Sequence, residues 1–172
     1  MNISKARLKR LPKVELHCHL DGSIRVPTMI DLAQKDNIKL PSMDRNELKK
    51  MLVIGSNRGT LEDYLKRFDY TLSVMQTPES LTRTAFELIE DVSKENVKYI
   101  EIRYSPILHT ENGMTISESV EAVQDGLKRG EKEFGVQSGI IVCGIRNISP
   151  EVSLKLADIT VQYKNKGVVG LI

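Results

Sequence analysis

His17 and His19 stand two residues apart in the run Val14-Glu15-Leu16-His17-Cys18-His19-Leu20, directly ahead of Asp21-Gly22. They are two of the chain's 3 histidines. Side chains alternate faces along a strand, so positions i and i+2 share a face about 6–7 Å apart. Two imidazoles so placed can converge on one metal ion, and imidazole suits zinc and other borderline metals. The same spacing also fits histidines that merely close a strand end. On a regular strand the opposite face reads Val14, Leu16, Cys18 and Leu20, an apolar stripe that makes Cys18 a packed thiol rather than a third ligand. Asp21 adds a carboxylate at the strand mouth, or simply a turn residue before Gly22. His109, in Leu-His-Thr-Glu-Asn-Gly, reads as an exposed loop histidine.

The elements that must hold these residues follow an orderly pattern. After the first strand the chain reads as a series of helices: Val26 to Lys35 with Pro27 in its first turn, Asp44 to Leu52, and Thr60 to Met75. The third of these repeats Leu61, Tyr64, Leu65, Phe68, Leu72 and Met75 three and four apart. Thr77-Pro78-Glu79-Ser80 then opens a helix reaching about Asn96, with threonine as cap and proline at the first helical position. From Val97 strands and helices alternate. Val97–Ser105, Gln137–Arg146 and Gly167–Ile172 read as strands, Ser117–Phe134 and Pro150–Lys164 as helices. Such alternation argues for βαβ units, a parallel sheet and an α/β fold.

Four strands, with the last closing the chain, fit either a small open sheet or the N-terminal half of a (β/α)8 barrel. On the second strand Tyr99, Glu101, Arg103 and Ser105 share one face, against Ile100, Ile102 and Tyr104 on the other. A polar face carrying both signs suits a barrel interior. Glu15, Glu101, Arg103 and Arg146 are expected to pair there.

The remaining composition narrows the class. At 172 residues the chain is one domain's worth, and 40% hydrophobic with 28% charged residues is ordinary for a globular protein. A net charge of +2 gives no reason to expect a nucleic-acid or membrane surface. The 2 cysteines, Cys18 and Cys143, are too few for a disulfide framework, which favours a reducing, cytoplasmic setting. The basic lead-in Lys5, Arg7, Lys9, Arg10 and Lys13 precedes no long apolar run, so it reads as a solvated segment rather than a signal.

Pro12-Lys13-Val14-Glu15-Leu16-His17-Cys18-His19-Leu20-Asp21-Gly22-Ser23 resembles the opening of the adenosine deaminases, a family of metal-dependent (β/α)8 hydrolases. Thr60-Leu61-Glu62-Asp63-Tyr64-Leu65-Lys66-Arg67-Phe68-Asp69 resembles that family's helix over the pocket mouth. Tyr99-Ile100-Glu101-Ile102-Arg103-Tyr104-Ser105-Pro106 resembles its second strand, and Gly167-Val168-Val169-Gly170-Leu171 the run into its fourth. The resemblance implies residues 1–172 as strands one to four of a deaminase barrel, and a zinc-dependent conversion of adenosine or deoxyadenosine to inosine and ammonia. It implies His17 and His19 as two zinc ligands, Asp21 as partner of the ribose 5′-hydroxyl, and Tyr64 and Phe68 as an apolar gate over the purine. A helical face that simply packs is the plain alternative for Tyr64 and Phe68. The family's other zinc ligands and its proton-transfer groups belong to strands after the fourth, so no catalytic residue is expected within residues 1–172. The chain alone is then expected to be inactive, with self-association or a complementing C-terminal half as its macromolecular partner. Other readings are a split subunit, a non-catalytic half-barrel, or a deaminase of another aminopurine.

Overall fold

Parallel strands and crossover helices emerge where the apolar periodicity places them. The computed structural model describes residues 4–52 and 60–172, with the side chains of 61–64 outside that description. In chain order the elements are α1 (Lys5–Arg10), β1 (Lys13–His19), α2 (Val26–Lys35), α3 (Arg45–Leu52), α4 (Leu61–Ser73) and α5 (Pro78–Lys94). They continue with β2 (Val97–Tyr104), α6 (Ile116–Phe134), β3 (Gln137–Val142), α7 (Pro150–Tyr163) and β4 (Val168–Leu171). Short 3-10 turns occupy Pro106–His109 and Lys164–Lys166. Among the described residues the strands form one parallel sheet in the order β1-β2-β3-β4.

Local chemistry sets the helix ends. Thr77 caps α5 by accepting from the Ser80 N–H, while the Ser80 side chain takes the Thr77 N–H. Thr115 and Glu118 make the same reciprocal arrangement at α6, which ends on Gly135 in the left-handed region at φ 69°. Asp44 sits outside α3 and caps it, its Oδ1 accepting from the N–H groups of Asn46 and Glu47 at 2.9 Å. The basic lead-in contains the short helix α1, which the sequence reading did not anticipate. Lys13 Nζ ties its end down by donating to the carbonyls of Lys9, Leu11 and Glu95.

The core lies between the sheet and its helices. Ile100, Ile102 and Tyr104 of β2, Ile140 and Val142 of β3 and Val168 of β4 are all buried, against Leu81, Ala85 and Ile89 of α5 and Val120, Val123 and Leu127 of α6. Helices α5 and α6 approach so closely that a Cβ at Gly126 would stand 2.3 Å from the Thr82 carbonyl oxygen. In the turn after β1, Arg25 holds α5 through Glu90 (2.7 Å) and Asp91 (2.6 Å). That clamp anchors the chain just past the His17–Asp21 segment.

Three expectations need correction. The apolar stripe of β1 is only half realised: Leu20 is buried and Cys18 partly so, but Val14 and Leu16 are 61% and 53% exposed. The register to β2 shifts between Glu15 and Cys18, which breaks strict alternation, and β1 is an edge of the described sheet. Glu15, Glu101, Arg103 and Arg146 form no ion pairs with one another among the described residues. Glu101 instead accepts from the Tyr99 hydroxyl at 3.1 Å, Glu15 accepts from the His17 N–H at 3.0 Å, and Arg146 is exposed beyond β3, which ends at Val142. His109 is not an exposed loop residue: the 3-10 turn folds it inward to 0% exposure, beneath the junction of α4 and α5.

A candidate metal and nucleoside site at the strand ends

The carboxyl ends of parallel strands are where such folds keep their chemistry, and His17 and His19 lie at the carboxyl end of β1. Their rings stand side by side, centroids 5.3 Å apart and tilted by 38°. The two imidazoles therefore lie on one side of β1. Both residues are exposed. Partial burial lowers the His19 pKa below the ordinary histidine value, with the nearby Asp21 carboxylate opposing and the His17 and Arg103 charges reinforcing the shift. A neutral imidazole is the form that binds a metal. These two donors fit one edge of a zinc centre. Among the described residues no group of three or more His, Cys, Asp or Glu is placed to complete it.

Asp21, next to that edge, lines a cavity of about 180 Å³ together with Gly22, Ile24, Val26, Leu52, Arg67, Phe68 and Thr71. It is 7% exposed, and its Oδ1 has no hydrogen-bond partner. His19 Nδ1 lies 3.9 Å from that oxygen, too far for a hydrogen bond. Burial raises the Asp21 pKa, opposed by His19 and by the backbone N–H groups of Asp21 and Gly22. A buried acceptor without a donor, facing a cavity, is suited to a ligand hydroxyl. Phe68 forms the cavity's apolar wall, its ring 3.6 Å from where a Cβ on Gly22 would sit. Cys18 packs behind this segment with its sulfur 3.4 Å from Ser23 Oγ, on the core side.

Helix α4 thus brings Phe68 onto the Asp21-Gly22 turn. The Tyr64 side chain lies outside the described residues. Two further residues of α4 that line the cavity went unread in the sequence. Arg67 puts a buried, unpartnered Nη1 into the cavity lining, and Thr71 is buried there. Thr71, three residues after Phe68 and four after Arg67 within α4, was the available signal.

The four parallel strands with their crossover helices place the chain in the α/β class, with an imidazole pair and a cavity lined by Asp21 and Arg67 at the carboxyl edge of the sheet. The family profile described as adenosine deaminase matches residues 12–172, and the chain belongs to that family. An adenosine deaminase of Clostridium botulinum (strain Langeland) is 45% identical over 163 residues, covering 95% of this chain and 49% of the relative. The chain therefore spans about half the length of that relative. A zinc-bound amidohydrolase from Burkholderia ambifaria superimposes with a TM-score of 0.85 at 24% identity, covering 99% of this chain and 47% of that one. An Arabidopsis protein solved with GMP superimposes at 0.78 with 27% identity, covering 95% of this chain and 49% of that one.

Proposed function

We propose that this chain carries one side of the active site of a zinc-dependent purine nucleoside deaminase, acting in the cytoplasm on adenosine or deoxyadenosine. The observation that carries the reading is the side-by-side pair His17 and His19, followed two residues on by a buried, unpartnered Asp21 oxygen in a cavity. His17 and His19 would hold the ion. The chemistry zinc supplies when bound is activation of water at neutral pH, for attack on the purine carbon bearing the amino group. Asp21 accepts a hydrogen bond from a sugar hydroxyl and so fixes the nucleoside's far end. Phe68, with Tyr64 as its expected companion, covers the base and keeps bulk water out.

Catalytic zinc takes three or more protein ligands, so residues 1–172 constitute half a catalytic domain, and turnover requires a complementing half.

Zinc titration calorimetry on the purified chain tests this. Binding should be abolished by H17A or H19A, and adenosine-to-inosine conversion should be absent from the chain alone. Turnover should appear on mixing with the second half of the Clostridium relative. Robust turnover by the chain alone would overturn its division into halves. Zinc binding unaffected by either histidine variant would overturn the metal assignment.

A further inference from the structure

Arg103 is an arginine of β2 only 9% exposed, yet it makes no ion pair with any carboxylate among the described residues. A buried guanidinium without a counter-ion is costly, so its contacts call for an explanation. Its Nη2 donates to the Leu16 carbonyl at 2.9 Å, and its own carbonyl accepts from the Leu20 N–H at 3.0 Å. One residue therefore grips β1 on both sides of His17-Cys18-His19. Between those grips Cys18 pairs with Ile102 and His19 with Arg103, while the register shifts from Glu15 to Cys18. The guanidinium thus reaches into the interval where regular pairing lapses. A charge-assisted bond there is stronger than a neutral one.

We propose that Arg103 is a positioning residue that holds the His17–His19 pair in its ligating arrangement by bracketing β1 at Leu16 and Leu20. It touches no ligand itself and acts through the Leu16 carbonyl. Without the side-chain grip, the Leu16 carbonyl, inside the interval where pairing shifts, loses its bond from Arg103, and the register shift is free to slide by one residue. Such a local slip would change the facing of residues in the interval between Glu15 and Cys18, which contains His17, while His19 stays paired with Arg103, and so would part the two rings. Arginine suits this role better than lysine, because its planar fork fixes direction as well as distance. The Nε atom has no partner either, so the grip depends on the single Nη2 bond.

The inference rests on the proposed metal reading, and its test separates the two. In the metal-free chain, NMR should show a nuclear Overhauser contact between the His17 and His19 rings. That contact should vanish in R103M and weaken in R103K, with the far-ultraviolet circular dichroism unchanged. Zinc affinity should fall tenfold or more in R103M, the range typical of losing a group that orients metal ligands, and by less in R103K. If R103M does not fold, R103K alone decides: wild-type ring contact and wild-type affinity would overturn the proposal. A wild-type chain that keeps the ring contact but takes up no zinc would overturn the metal assignment, while the ring contact in the variants still decides the role of Arg103. A change in melting temperature with ring contact and affinity intact would reduce Arg103 to a structural residue.

Discussion

At the scale of single residues, His109 shows how a titratable group can govern stability without touching the site. Its Nδ1–H donates to the Met75 carbonyl at 2.8 Å, its ring lies 5.5 Å from Tyr104, and its Nε2 is buried with no partner. Burial holds its pKa down at about 4, against an ordinary 6.5, with the Met75 bond opposing. Protonation would place a charge on Nε2 where nothing receives it. The folded state therefore prefers the neutral ring, and the stability this confers is complete above pH 6.5. It drains as pH falls, because the unfolded chain takes up the proton first, and it is exhausted near pH 4. A displacement of that size amounts to about 3 kcal/mol. Urea unfolding between pH 7 and 4 should show wild type losing stability more steeply than H109L, with the difference accumulating inside that window. Parallel pH profiles for the two proteins would contradict the assignment. Nothing in Leu-His-Thr-Glu-Asn-Gly announces burial, since it arises from the 3-10 turn docking under α4 and α5. The pairing of His17 with His19, by contrast, was legible from spacing alone.

Elements were legible wherever local chemistry fixed them. Thr77 marks a helix start because the cap and its reciprocal partner lie within four residues, and the strands β2 and β3 declare themselves by apolar runs; the matching box at Thr115 went unread, and the expected start at Ser117 falls one residue late. The register of β1 was not legible, because it depends on which β2 residue each β1 residue meets. Tertiary pairing likewise explains why Arg103 binds a carbonyl rather than the glutamates that sequence placed on its face. The contact of α5 with α6 is another such feature, and it yields a measurable consequence. At Gly126 a Cβ would meet the Thr82 carbonyl oxygen at 2.3 Å and the Ala85 Cβ at 2.8 Å, neither of which is a flexible side-chain end. Alanine gains about 1 kcal/mol of helix propensity over glycine, whereas overpacking costs typically 1–3 kcal/mol, and more when backbone must move. G126A should therefore destabilise the chain by about 2 kcal/mol despite the better helix former. Chemical denaturation reads this directly, and a stabilised G126A would show that the two helices separate at little cost.

At the scale of the whole molecule, the described sheet has two open edges with apolar side chains in solvent. On β1 these are Val14 and Leu16; on β4 and just beyond it they are Val169, Leu171 and Ile172, each about half exposed or more. An edge strand offers unpaired N–H and C=O groups, and apolar side chains beside them favour pairing with another chain. The relatives that this chain half-covers are about twice its length. For residues 1–172 in isolation the same surfaces should drive association. Sedimentation velocity over a roughly hundredfold range of micromolar concentrations should show the mean sedimentation coefficient rising with concentration. Lysine at Val169 and Ile172 interrupts the apolar strip with charge while leaving the buried face of β4, anchored by Val168, in place. That double variant should shift the distribution toward monomer with an unchanged circular dichroism spectrum. A complementing half should compete for the same edges, so adding it should dissolve the self-associated species into a one-to-one complex. A wild-type chain that sediments as monomer throughout the range would show that the edges are protected as they stand, and the expectation of a partner there would fall with it.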